Sequence, residues 1–348
     1  MVTFQNLRMS FHYTLWERNI TVGAFLLDAP ACGDWRYFVV VLLHAIEATM
    51  IAVYALILPA MYCSASKCNS LHPNLIRIAI TYLLNTAIYV IARLVGMAYQ
   101  IGIFTLKEDL SYDWPFVLAS SFRVMQLMGS HAILVSMILE RAYASYKVAT
   151  YEMMAKTKIS VILIIFSVTE SVVLQLLTLF EVFTMKQCSL IIIGQFFIAV
   201  TMFASLWRYN MRQQKALEQG IRYTLTYKYQ ILENFRAFKF MRTCCLCGIA
   251  AVCTRLPVEI FLRIYTDDAT TVMLRGFHDI SVALGTITSP VAGMLALPEW
   301  RSLFFAQMGL VRKAEKYGSR MRHRMEARIL NPETETKAYF DQLRQQWS

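Results

Sequence analysis

Runs of mostly apolar residues, each long enough to cross a hydrocarbon core about 30 Å thick, recur along the whole of this chain. The candidate spans are about 37–62, 75–101, 115–140, 159–181, 189–207, 240–265 and 271–297. Backbone N–H and C=O groups in lipid must be satisfied within the segment, so each run is expected to be a helix. Charge agrees: only 16% of the 348 residues are charged, where a soluble chain carries about 25%. The expected fold is an all-α integral membrane protein, a bundle of seven transmembrane helices. No internal repeat stands out, which weighs against an inverted-repeat transporter. The first thirty residues hold no h-region and no small-residue cleavage site, so the first span is expected to act as an uncleaved anchor.

Lys and Arg outnumber acids 34 to 23. In a soluble protein that surplus would point to nucleic acid. Here it sits in loops, and no nucleic-acid partner is expected. The stretch Arg208 to Lys239, expected as a connecting loop, is rich in cations, as are the loop after the third span (Arg141, Lys147, Lys156, Lys158) and the tail after Pro298. The opposite side holds little more than Lys107 and Lys186. Cations stay in the cytoplasm, so the tail is expected inside and the 1–36 segment outside. The acceptor triplet Asn19-Ile20-Thr21 would then be available for glycosylation at Asn19. Only Cys32 and Cys188 fall in outer segments, which makes them the one candidate bridge.

After the seventh span, Trp300, Leu303 and Phe304 fall at i, i+3 and i+4. They are expected to lay an apolar face on the bilayer surface. Residues 312–328 are strongly basic, suited to an anionic inner leaflet or to a solvated charged helix. Asn331-Pro332-Glu333 reads as the start of a last short helix. Membrane lipid is thus an expected partner of the 298–348 tail.

No motif supports an enzyme, so no catalytic residue, metal site or cofactor is expected. Cys244-Cys245-x-Cys247 lacks the spacing and histidines of a zinc site; acylation and inert packing both remain open for it. The informative residues are the ionisable ones inside spans. Each costs roughly 2.5 kcal/mol or more at mid-membrane and should face the bundle interior with a partner. Arg93, Arg123, Arg255, Glu259, His278 and Asp279 lie in the outer half or near the centre. Arg255, Glu259 and Arg263 share a face of the sixth helix, beside Pro257. Together they are candidates to line an outer ligand cavity; the alternative is an internal ion pair. Glu47 and Glu170 read as interhelical contacts, and His131 as a satisfied bundle residue. The third span ends on Glu140-Arg141, which is either a two-state switch or a snorkelling arginine.

Two stretches carry a resemblance. Glu140-Arg141-Ala142-Tyr143-Ala144-Ser145-Tyr146, followed by Tyr151-Glu152, resembles the third-span end of nematode seven-transmembrane chemoreceptors. The likeness is strongest to serpentine receptor class epsilon, the Sre family, with its E-R-x-x-A-S/T-Y and D-Y-E pattern. Thr150 replaces the acid of the second part. Leu225 to Asn234, reading LTYKYQILEN, resembles the family's L-S-x-R-Y-Q-x-x-E-N, with Lys228 in place of arginine. The resemblance implies a GPCR-like bundle in the plasma membrane of sensory neurons, in their cilia. It implies a small-molecule ligand and a heterotrimeric G protein as partners. Glu140 and Arg141 would be the switch, with Tyr229, Gln230, Glu233 and Asn234 beside them in coupling. The chain departs from rhodopsin-like receptors elsewhere: there is no Asn-Pro-x-x-Tyr in the seventh span, no Trp before Pro257 and no Cys at the outer end of the third span. A seven-span ligand-gated channel and a small transporter are the alternative readings.

Overall fold

The computed structural model describes residues 11–15, 18–22, 35–68, 71–101, 103–104, 113–147, 151, 158–218, 225–264 and 268–309. Within these elements the side chains of 11–22, 185–186, 189, 217–230, 259, 263 and 268–269 are not described. The helices are α1 (Trp35–Ser66), α2 (Pro73–Gln100), α3 (Trp114–Tyr146), α4 (Lys158–Leu179), α5 (Met185–Glu218), α6 (Leu225–Ile264), α7 (Asp268–Ala296) and α8 (Pro298–Gln307). The first seven are each long and apolar enough to cross a membrane. Successive helices run in opposite directions. We call the end where α1, α3, α5 and α7 begin the head end, and the end from which α8 leaves the tail end.

α3 is the axis of the bundle, touching α2, α4, α5 and α6, while α1 closes the ring against α2 and α7. Of its spanning stretch 61% is buried, against 22% in α4. α4 shows which solvent the bundle is built for. Ser160, Ser167, Ser171, Gln175 and Thr178 point inward, and Ile162, Ile165, Phe166 and Val172 point outward. Water would impose the opposite arrangement; lipid imposes this one. Ser136 of α3 and Ser167 of α4 meet at 2.7 Å, a close approach that small side chains permit.

Three elements differ from expectation. The Arg208–Lys239 stretch is mostly helix: α5 continues to Glu218 and α6 begins at Leu225. The loss of hydropathy at Arg208 marks the edge of the apolar layer, while Arg, Gln, Lys, Ala and Glu beyond it are good helix formers. α5 also starts earlier than its apolar run. The Thr184 hydroxyl accepts from the Gln187 N–H (3.3 Å), and the Gln187 side chain accepts from the Thr184 N–H (2.8 Å), a reciprocal capping box. Finally, the aromatic face of α8 lies against the bundle instead of a bilayer surface. Trp300 and Phe304 are buried, and the Trp300 ring is 5.5 Å from Phe240. Contact with α1, α7 and Phe240 gives these rings more apolar surface than a headgroup layer offers.

The expected 1–36 segment contains a short antiparallel hairpin, β1 (Phe11–Leu15) and β2 (Arg18–Val22), in register Phe11 to Val22. β2 touches α3 and α4. Asn19 sits in β2 opposite Thr14. The basic run 312–328, the Asn331-Pro332-Glu333 cap and Cys32 lie outside the described residues.

Candidate functional site

Two buried polar networks and a cavity stand out among the described residues of the interior. Toward the head end, Arg93 of α2 grips Glu47 of α1 with a two-pronged bond, Nε to Oε1 at 2.5 Å and Nη2 to Oε2 at 2.6 Å. The same Nη2 donates to Asp279 Oδ2 of α7 at 3.0 Å. Arg123 of α3 donates to Asp279 Oδ1. His278 Nδ1 stands 3.8 Å from that oxygen. Two cations and two carboxylates from four helices therefore neutralise one another within the bundle. All four are essentially buried. In a low-dielectric interior such a set is stable only as a whole.

The tail-end network centres on Arg141. It folds back onto its neighbour Glu140, Nε to Oε2 at 2.5 Å and Nη2 to Oε1 at 2.6 Å. Its remaining nitrogen, Nη1, reaches α6, donating to Asn234 Oδ1 at 3.2 Å and to Glu233 Oε1 at 3.5 Å. Asn234 continues the chain to Asn210 of α5 at 3.2 Å, and Asn210 donates to Ser145 of α3 at 2.9 Å. On the other side the Tyr151 hydroxyl donates to Glu140 and accepts from Asn74 Nδ2 of α2 at 3.1 Å. Ser160 of α4 donates to Asn74 Oδ1 at 3.1 Å. Five helices, α2 to α6, meet in this one set of bonds.

Two groups here lie outside the spans and titrate away from their ordinary values. Burial, then the field of Arg141, lowers His72 from 6.5 to about 4. It therefore stays neutral and accepts the Asn74 N–H at 3.2 Å as the N-cap of α2. Burial and the Glu140 carboxylate push the Tyr151 phenol up, so it stays a proton donor. The His72 ring packs on Tyr151 at 4.4 Å, and the Arg141 guanidinium lies over the same ring at 5.7 Å.

Between α2, α3, α5, α6 and α7 lies a cavity of about 90 Å³. Leu127, Leu134, Met137, Phe196, Val252 and Val282 supply apolar wall. Polar lining comes from Arg255, His131, Tyr82 and the hydroxyls of Ser130, Ser281, Thr286 and Ser289. His131 Nδ1 lies 2.9 Å from the Leu127 carbonyl. A carbonyl only accepts, so that nitrogen carries the proton and Nε2 is the acceptor.

The sequence candidates therefore divide. Arg93, Arg123 and Asp279 come together, with His278 alongside, but their partners are one another and Glu47. Arg255 lines the cavity instead, with His131. The Glu259 side chain lies outside the described residues. At the tail end Glu140, Arg141, Glu233 and Asn234 converge; the side chains of Tyr229 and Gln230 lie outside the described residues. Cys188 is a buried thiol with Sγ 3.0 Å from Thr178 Oγ1. Glu170 accepts from Gln195 of α5. Cys244 and Cys245 are buried in the bundle, Cys244 against the cavity. Sequence reasoning missed Asn74, Asn210 and Tyr82. The first two flank apolar runs, where a lone asparagine reads as a loop residue, and a tyrosine in a span gives no signal of its own.

The model of a family described as Sre G protein-coupled chemoreceptor matches residues 18–348. Serpentine receptor class epsilon-37 of Caenorhabditis elegans is 23% identical over 288 residues, covering 74% of this chain and 78% of that protein. Serpentine receptor class epsilon-45 of the same animal is 22% identical over 244 residues, with 67% and 66% covered. Serpentine receptor class epsilon-1 is 23% identical over 178 residues, about half of each chain.

Proposed function

The chain belongs to the Sre family of G protein-coupled chemoreceptors, and from that premise we propose that this multi-pass membrane protein binds a small external chemical in the central cavity and signals through a heterotrimeric G protein at its tail end. The distribution of Lys and Arg supports a head end outside the cell and a tail end inside. The animal would carry the protein in the plasma membrane of chemosensory neurons, in their cilia.

One observation carries this reading. A buried arginine at the end of the axial helix bonds at once to its own helix and to α6, through Glu233 and Asn234. That is a latch between two elements that can exist closed or released. α6 runs from this latch to the cavity, which it lines with Cys244, Gly248, Ala251, Val252 and Arg255. A ligand that prefers one position of α6 therefore biases the latch through a single helix.

The test needs no known ligand. In cells expressing the full chain with a G-protein reporter, Glu233→Ala removes a latch partner and keeps Arg141. It is expected to raise ligand-free signalling above that of the parent. Adding Arg141→Ala to that variant is expected to return signalling to background while surface levels hold. Undiminished signalling without Arg141 would sink its role in coupling. Head-end and tail-end tags, probed on intact cells, check the orientation in the same experiment.

A further inference from the structure

A hydroxyl in the wall of the central cavity, such as that of Thr286, can turn to donate or to accept. The His131 imidazole has no such freedom. Its Nδ1 donates to the Leu127 carbonyl of its own helix at 2.9 Å. Phe196 stands nearly edge-on to the ring, with centroids 6.1 Å apart and planes at 79°. Those two contacts fix the plane of the imidazole and the nitrogen that holds the proton. The adjoining wall of Leu127, Leu134 and Phe196 favours the neutral ring. Nε2 therefore presents a lone pair, and no described residue donates to it. Two serines of the lining lean the same way. The Ser130 hydroxyl donates to the Gln126 carbonyl at 2.9 Å, and the Ser281 hydroxyl to the His278 carbonyl at 2.7 Å. What these three groups still offer a guest is lone pairs.

Resting on the reading that this cavity is the ligand site, we infer that its ligand carries a hydrogen-bond donor, a hydroxyl on a short hydrocarbon body, and that this hydroxyl donates to Nε2 of His131. The body packs against Leu134, Val252 and Phe196. A guest that fills the cavity excludes water from Nε2. One that brings a proton replaces what water would give; an ether or ketone of the same size leaves a buried acceptor unpaired. A site built around such a bond rejects an analogue without the donor far better than a hydrocarbon wall rejects a change of length. A hydroxyl also accepts, so it suits the wall whether or not the Arg255 guanidinium is engaged elsewhere. Phe196 limits the length of the body: it lies over Gly248 so closely that a Cβ there would stand 3.0 Å from its ring.

The test uses the purified full chain in lipid nanodiscs and its melting midpoint. The probes are straight-chain hexanol and dipropyl ether, isomers of which only the alcohol has a proton to donate. Hexanol is expected to raise the midpoint at a concentration about ten- to a hundredfold below that of the ether, the range that follows from leaving one buried acceptor unpaired. His131→Phe keeps an aromatic ring and removes Nε2. It is expected to erase the gap, weakening hexanol and leaving the ether as it was or tighter. A folded His131→Phe protein that keeps the parent's preference overturns the inference. So does an ether that binds the parent as well as the alcohol, or a midpoint that neither probe raises; both are read on the parent and hold even if the variant does not fold. Signalling separates the two levels. In cells with the G-protein reporter, alcohols from butanol to octanol are compared with their isomeric ethers, in the parent and in Leu134→Phe, whose ring narrows the wall. A response to alcohols alone, lost in Leu134→Phe, is the expected result. A response to ethers that Leu134→Phe abolishes keeps the cavity as the ligand site and overturns only the donor class. A response to either set that Leu134→Phe leaves intact moves the ligand site elsewhere and takes the inference with it.

Discussion

Asn74 satisfies groups from three elements at once: the Tyr151 hydroxyl, Ser160 and Arg77 of its own helix. Its backbone N–H is in turn capped by His72. The cap requires an unprotonated Nδ1, and the linkage has a definite sign. The folded value of His72, about 4, lies below its ordinary 6.5. The unfolded chain therefore binds the proton more tightly. This group's contribution is complete above pH 6.5 and is lost as pH falls toward 4. His72→Asn keeps an N-cap of preferred type and removes the titrating ring. Melting midpoints of parent and variant are expected to lie closest above pH 6.5 and to separate as pH falls toward 4, the parent falling the more steeply. Parallel curves would mean that His72 does not titrate in this window. At this scale the sequence was half legible. Glu140-Arg141 is recognisable because charge at the edge of an apolar run is conspicuous, whereas Glu233 and Asn234 stand out only through the resemblance their stretch carries. Asn74, Asn210 and Ser145 are small neutral groups whose roles exist only once five helices meet.

Helices were legible wherever lipid dictates them and illegible where it stops. Hydropathy finds the apolar layer, so α1 to α4 and α7 fall within a few residues of their expected limits, apart from the polar turn that carries α3 on to Tyr146. It is blind to α5 and α6 past that layer, where propensity and a capping box at Thr184 set the ends. It also misplaced α8, since an i, i+3, i+4 aromatic face is equally suited to lipid and to a neighbouring helix. Contacts between helices are hidden for a related reason: glycines in apolar runs look alike. A Cβ on Gly285 of α7 would come 2.6 Å from the Ala251 Cβ of α6, whereas one on Gly194 of α5 meets nothing within 4 Å. Gly285→Ala must therefore push α6 and α7 apart, at a cost of about 1–3 kcal/mol that outweighs the helix propensity of alanine. Gly194→Ala collects only the propensity, up to about 1 kcal/mol. Opposite shifts in melting midpoint are expected from these two substitutions of identical chemistry. A Gly285→Ala protein as stable as its parent would mean the two helices sit farther apart than described.

At the scale of the whole molecule, the two buried networks described above share no residue. The tail-end set ties α2 to α6; the head-end set ties α1, α2, α3 and α7. Asp279 ties α7 by charge to α2 and α3, meeting Arg93 and Arg123 together. The sequence singled out these charges and left open whether they line a ligand cavity or pair with one another, because partners on other helices cannot be read from spacing along one. The arrangement makes a sharp prediction. Asp279→Asn leaves two buried cations with one carboxylate, and removing one partner of a buried pair costs about 3–5 kcal/mol. Surface expression and melting midpoint are both expected to drop steeply. Adding Arg123→Gln removes the surplus cation and leaves Arg93 with Glu47, a balanced pair. The double variant is then expected to be more stable than Asp279→Asn alone, a non-additivity that follows from charge and not from volume. If the second substitution only adds further damage, Arg123 is held by something other than Asp279, and α7 is not joined to the axis of the bundle by this bond.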